Sequence, residues 1–263
     1  MIVASGALVA CSGSSGSARI DSGRATESSS SGSATSGSTD AVGSRVDGGV
    51  LAGRVLSAMR AAGSAQFSLA SSTTSGQDAT GVLQLAGSGV RVRFDFSDGS
   101  DKLRVIAVPG VLYADVGEVV DGRHWLKVTA GGTDPLSSAM APLLSYMTNS
   151  ADVSAQTSTW AAADGFTMGA AGTVGGTRAT PYVATIPREA VQAGLPDQFR
   201  DIMKKDITGD SHVTLWLDDS DRPVKVLTAG SYDNKNDQVT VTYTDWGRAA
   251  QVTAPPASDV IKP

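Results

Sequence analysis

The alternation of apolar and polar residues between positions 211 and 256 constrains this chain more than any other feature. Val213, Leu215 and Leu217 alternate with Thr214, Trp216 and Asp218. Further on, Val239, Val241 and Tyr243 alternate with Thr240, Thr242 and Thr244. Side chains along a strand point to opposite sheet faces in turn, so each run is a strand with one apolar face. Asp219-Ser220-Asp221 predicts a turn, because short polar side chains bond back to their own backbone. Residues 233 to 237 predict a second, looser turn. Trp246-Gly247 ends the sheet and Pro255-Pro256 cannot continue it. The stretch therefore predicts three antiparallel strands whose apolar face must be covered by other parts of the chain.

Upstream segments supply that cover. Residues 50–62 predict a helix, with Leu51, Val55, Leu56 and Met59 near one face and Gly63 suited to the C-terminal cap. Six short strands follow at 66–73, 80–86, 90–96, 103–108, 111–116 and 124–129, separated by turn sequences such as Asp98-Gly99-Ser100 and Pro109-Gly110. Their connections are too short for parallel crossovers, so they form a meander. Asp134-Pro135 opens a second helix, with an apolar face of Leu136, Met140, Leu143, Leu144 and Met147. Residues 151–163 read as either helix or loop. A hairpin is expected around Gly175-Gly176. One or two short helices are expected in 187–205, broken at Leu195-Pro196. Helices and antiparallel strands in this order give an α+β class. With only 5% aromatic residues in 263, the interior is filled mostly by Val, Leu, Ala and Met.

The N-terminus carries a different signal. Residues 1–10 are small and apolar, too short to span a bilayer, and read as a truncated signal peptide without its basic leader. Cys11, the one cysteine, follows Leu8-Val9-Ala10. This resembles a bacterial lipobox, in which the cysteine receives the lipid. Residues 11–48 are rich in serine and glycine and are expected to form a disordered tether. Its mean reach is roughly 35 Å. The folded domain is then residues 49–263.

Catalytic signatures are scarce. His124 and His212 lie in separate strands with no carboxylate or cysteine at metal-ligand spacing, and read as surface or satisfied strand residues. No nucleophile elbow, phosphate-binding loop or dinucleotide fingerprint occurs. Asp218, Asp219 and Asp221 cluster at one turn without the glycine-containing loop and distal glutamate of an EF-hand, and read as a solvated turn. A net charge of -5 argues against a nucleic-acid partner. No enzyme activity, metal or cofactor is expected.

The residues Val241-Thr-Tyr-Thr-Asp-Trp-Gly247, with Val252-Thr-Ala-Pro-Pro256, resemble the closing signature of the LppX/LprA/LprF/LprG lipoproteins of actinobacteria. The hairpin from Leu215 to Val226 is similar to the one that precedes it, and the Asp134-Pro135-Leu136 helix start fits as well. The resemblance implies a LolA-like fold: a large curved antiparallel sheet, a half-barrel, wrapped around a few helices, with a hydrophobic cavity for acyl chains. It also implies a lipid-anchored protein on the extracytoplasmic face of the cell membrane. Such a protein carries or presents a lipid or lipoglycan, with an envelope transporter as a further partner. The expected lining is Leu51, Val55 and Met59, then Leu136, Met140, Leu143 and Met147, and then Val239, Val241 and Tyr243 of the last strands. The competing expectation is an envelope sensor or adaptor that uses the same scaffold for protein contacts.

Overall fold

The computed structural model describes residues 41–72, 78–86, 89–98, 101–135, 137–141, 152–195, 200–201, 203–232 and 235–261. The leader, Cys11 and the serine-rich segment up to residue 40 lie outside them, as do Leu136, Leu143 and Met147. The chain starts with a short strand, β1 (Arg45–Val46), and helix α1 (Gly48–Ala62). Residues 45–48, which the serine-rich reading assigned to the tether, thus belong to the fold. The meander follows as β2 (Ser64–Ser71), β3 (Ala79–Ala86), β4 (Gly89–Asp98), β5 (Asp101–Val108), β6 (Val111–Val120) and β7 (Arg123–Thr129). Each expected strand is present, with its ends shifted by a few residues.

Residues 135 and 137–141 are helical. The Asp134 carboxylate accepts from the Ser137 N–H at 2.8 Å, as the capping reading requires. The ambiguous stretch after position 151 contains helix α2 (Val153–Ala161). Then come β8 (Phe166–Met168), β9 (Gly172–Val174), β10 (Thr177–Ile186) and the short helix α3 (Arg188–Ala193). Gly175 and Gly176 both take positive φ between β9 and β10, as a tight hairpin demands. The closing strands are β11 (Ser211–Leu217), β12 (Pro223–Tyr232) and β13 (Lys235–Thr244). Tyr232 and Lys235 face each other, so the loose turn expected over 233–237 is replaced by strand as far as these two residues. Asp237 sits in the ladder, almost fully buried, because the Ser71 and Ser72 hydroxyls donate to its carboxylate.

The described strands form one antiparallel curved sheet in the order β1-β8-β10-β11-β12-β13-β2-β3-β4-β5-β6-β7, with β9 beside β10. The join is the pairing of β13 with β2, where Val241 faces Leu69 and Tyr243 faces Phe67. It welds the closing strands to the meander. Helix α1 lies on the inner face. Its Leu51, Val55 and Met59 are completely buried in the main core, with Trp160 of α2, Phe166, Leu215 and Leu217.

The closing signature has a physical task. Asp245 and Gly247 take positive φ and turn the chain off β13. Trp246 stacks on Tyr243 with centroids 5.5 Å apart, and its indole N–H donates to the Pro223 carbonyl at 2.8 Å. The following residues run over the outer face. There Val252 packs with Val82, Ile106 and Trp125, and the Ile261 N–H donates to the Trp125 carbonyl at 2.9 Å.

Candidate functional site: the inner apolar face of the sheet

Residues directly opposite each other in neighbouring strands share a sheet face. Two ladders of opposed residues cross the inner face. One runs Tyr182, Leu215, Val226, Val241, Leu69, Ala79, Phe96 and Leu103, from β10 to β5. The other runs Tyr243, Phe67, Gly81, Phe94, Val105 and Ala114, from β13 to β6. Each is apolar throughout, over six to eight strands. The sequence produces them because every contributing strand has its apolar residues in the same phase.

Cover over these ladders is uneven. Tyr182, Leu215 and Val226 are buried, as α1, α2 and the strands around them close that end. Val241, Leu69, Phe96 and Leu103 remain half-buried. A second, smaller apolar cluster holds Val105, Leu112 and Val128, with Phe94, Phe96, Leu103, Ala114 and Met140 partly buried against it. Phe94 belongs to the margin of both clusters. It meets Phe67 edge-on at 5.2 Å and stacks with Phe96 at 5.6 Å. Gly81 makes the Phe67 position possible. A Cβ there would come within 2.5 Å of the Phe67 ring and would overlap the Arg93 carbonyl oxygen.

Polar groups frame this face. Arg54 leaves the α1 surface and donates to Asp221 through Nη2 and Nε, at 2.6 and 3.1 Å. The Asp221 hydrogen bond raises the guanidinium pKa. Asp218 accepts from the Ser220 and Arg222 backbone and from the Arg222 side chain. Asp219 lies 3.8 Å from Arg178. The three turn aspartates are thus each drawn to a different arginine. Burial pushes the Tyr243 phenol up to about 12. His124 faces Asp115 at 2.9 Å and His212 faces Thr185 at 3.0 Å, both at the surface of strands. Among the described residues, no three His, Cys, Asp or Glu side chains gather as a metal-ligand set.

The expected lining residues divide into groups. Leu51, Val55 and Met59 are packed solid in the core, so a ligand reaching them would have to displace α1. Tyr243 is buried in the same core, with Val241 half-buried against it. Val239 is half-buried in the middle of β13. Met140 packs on the smaller cluster. Leu136, Leu143, Met147 and Cys11 lie outside the described residues. Sequence reasoning missed Phe94, Phe96 and Leu103, the half-open part of the face. The signal for Phe94 and Phe96 was the clean alternation in Val-Arg-Val-Arg-Phe-Asp-Phe, which marks β4 as one-faced.

No protein-family model matches this sequence, and no curated protein matches it. Solved structures do. LprF from Mycobacterium bovis superposes with a TM-score of 0.52 at 12% identity, over 79% of this chain and 96% of that one. The Mycobacterium tuberculosis lipoprotein LppX gives 0.49 at 12% identity, over 78% of this chain and 97% of that one. Identity this low speaks for architecture alone. The chain has the α+β fold of LprF, a large curved antiparallel sheet closed over helices, as expected from its resemblance to the LppX/LprA/LprF/LprG lipoproteins.

Proposed function

We propose that this protein holds lipid acyl chains against the inner face of its sheet and carries or presents them in the cell envelope. Cys11 is the attachment point for its own membrane anchor, and the domain works on the extracytoplasmic side. The ligand is a lipid or lipoglycan, handed on to an envelope transporter or another acceptor. One observation carries this reading. One of the two adjoining apolar ladders stays half-buried at Val241, Leu69, Phe96 and Leu103, within a fold shared with LprF. Burying a C16 chain there is worth on the order of 10 kcal/mol gross, at about 0.8 kcal/mol per methylene. Entry occurs at the Phe96–Leu103 end, because the opposite end is closed by α1.

Native mass spectrometry of the full chain purified from an actinobacterial host tests this, together with displacement of a fluorescent acyl probe. A co-purifying lipid is expected, and Phe96→Asp is expected to weaken probe binding at least about tenfold through the cost of an unpaired carboxylate against apolar chains. An empty protein that also fails to bind the probe would defeat the proposal. A protein partner captured in the envelope by an empty domain would favour the sensor or adaptor reading.

A further inference from the structure

The half-buried part of the inner face is a single lane. It consists of Val241, Leu69, Phe96 and Leu103 on β13, β2, β4 and β5, with the small Ala79 of β3 buried between Leu69 and Phe96. Residues two apart on a strand share a face, so the next row on either side lies about 6.7 Å away. On one side Tyr243, Phe67 and Val105 are buried, the Phe67 ring fills the space over Gly81, and Phe94 is held between the rings of Phe67 and Phe96. On the other side stand Thr228, Val239 and Ser71. The Ser71 hydroxyl donates at 3.0 Å to Asp237, whose carboxylate lies buried one row further on. Aromatic rings thus close one border of the lane, and polar groups line the other.

These borders choose the occupant. An α-helix is about 10–12 Å across, too broad for one row, and would press its apolar stripe on the hydroxyls of Ser71 and Thr228. An extended peptide would set backbone N–H and C=O groups against apolar side chains. A second acyl chain beside the first would strip the same hydroxyls of water. One unbranched chain does none of these things. Length points the same way. Beyond Val241 the ladder is closed at Val226 and Leu215, and at the other end the described β5–β6 pairing starts only at Arg104 and Asp115. The lane therefore crosses five strands, four intervals of about 4.8 Å, and is about 19 Å long. A zigzag of roughly 1.5 Å bonds advances about 1.3 Å per carbon, so about 16 carbons fill it.

We infer that the inner face takes one unbranched acyl chain per protein, of about 16 carbons, and that its ligands are single-chain lipids such as a fatty acid or a lysolipid. The inference rests on the acyl-binding reading and narrows it from lipids at large to those with one chain. A lipid with two chains would leave the second in water or against the hydroxyls of Ser71 and Thr228.

Displacement of the fluorescent acyl probe from the full chain by fatty acids of increasing length tests it, with native mass spectrometry for the stoichiometry. Affinity is expected to rise about fourfold per added methylene up to about 16 carbons and to stay level beyond. One fatty acid should load per protein, and dipalmitoyl phosphatidylcholine should bind no more tightly than its single-chain lyso form. Leu103→Trp, which occupies the last strand of the lane, is expected to move the plateau down by about four carbons, one strand spacing. Val241→Trp does the same at the closed end and decides the matter if the first variant does not fold. Affinity that keeps rising well past the plateau length, two chains per protein, or an unmoved plateau in both variants overturns the inference while acyl binding stands. Failure of every fatty acid to displace the probe brings down the acyl reading itself, and this inference with it.

Discussion

Tyr243 joins sequence, packing and pH response in one side chain. It alternates inward on β13, stacks on Trp246 and is buried, with 7% of its surface exposed. In the unfolded chain a phenol ionises near pH 10. In the folded protein burial holds Tyr243 neutral to about pH 12. The unfolded state therefore releases a proton that the folded state keeps. Stability is complete below pH 10 and falls by about 1.4 kcal/mol per pH unit between 10 and 12. Urea midpoints measured from pH 8 to 11 should decline more steeply in the wild type than in Tyr243→Phe. Parallel declines would remove Tyr243 as the cause. Gly81 offers a second test at this scale. Its missing Cβ leaves space for Phe67, so Gly81→Ala forces ring and backbone apart and should cost about 1–3 kcal/mol by overpacking. Alternation placed Tyr243 inward from sequence alone. Nothing in the sequence marked Gly81, because a close approach depends on what a distant strand brings to it.

Elements were legible where pattern and cap agreed. Helix α1 has both. Asp47 accepts from the Val50 N–H at 2.9 Å, Gly63 closes the far end, and the buried positions fall on one face. Helix α2 stayed ambiguous because its exposed side is rich in serine and threonine, residues that compete for the backbone in non-helical states. In the structure their hydroxyls bond back within the helix, as Ser158 does to the Ser154 carbonyl at 2.8 Å. The attachment of α1 to the β11–β12 turn was not legible at all, since Arg54 and Asp221 are far apart in sequence. Both side chains are about one-third exposed, at 34% and 33%, so solvent screens the pair. A double-mutant cycle with Arg54→Ala and Asp221→Ala should give a coupling of about 0.5–1 kcal/mol that shrinks as salt is added. A coupling of zero would make α1 packing wholly apolar in origin.

At the scale of the molecule, local alternation specified strands but not their order. The weld between β13 and β2 is long-range, and hydrophobic phase alone does not choose a neighbour. The sequence also carries a signal at the scale of the whole molecule. Strand β5 contains Val105-Ile106-Ala107-Val108, an unbroken apolar run of the kind found where both sheet faces are covered. Val105 and Ala107 face the inner core. Ile106 faces outward with Val82 and Trp125, and the C-terminal segment covers them through Val252. The turn at Asp245–Gly247 that ends β13 thus leads into a strap over the back of the sheet. The strap packs on the outer face of the sheet, away from the inner apolar face. Val252→Asp places a carboxylate in the apolar patch of Val82, Ile106 and Trp125, a change that costs a few kcal/mol or expels the strap. Either result uncovers an outward apolar patch. Val252→Asp should therefore lower the urea midpoint and bind a hydrophobic dye, while acyl-probe affinity per folded molecule stays unchanged. Lost acyl binding in a protein that keeps its midpoint would mean that the two faces are coupled across the sheet.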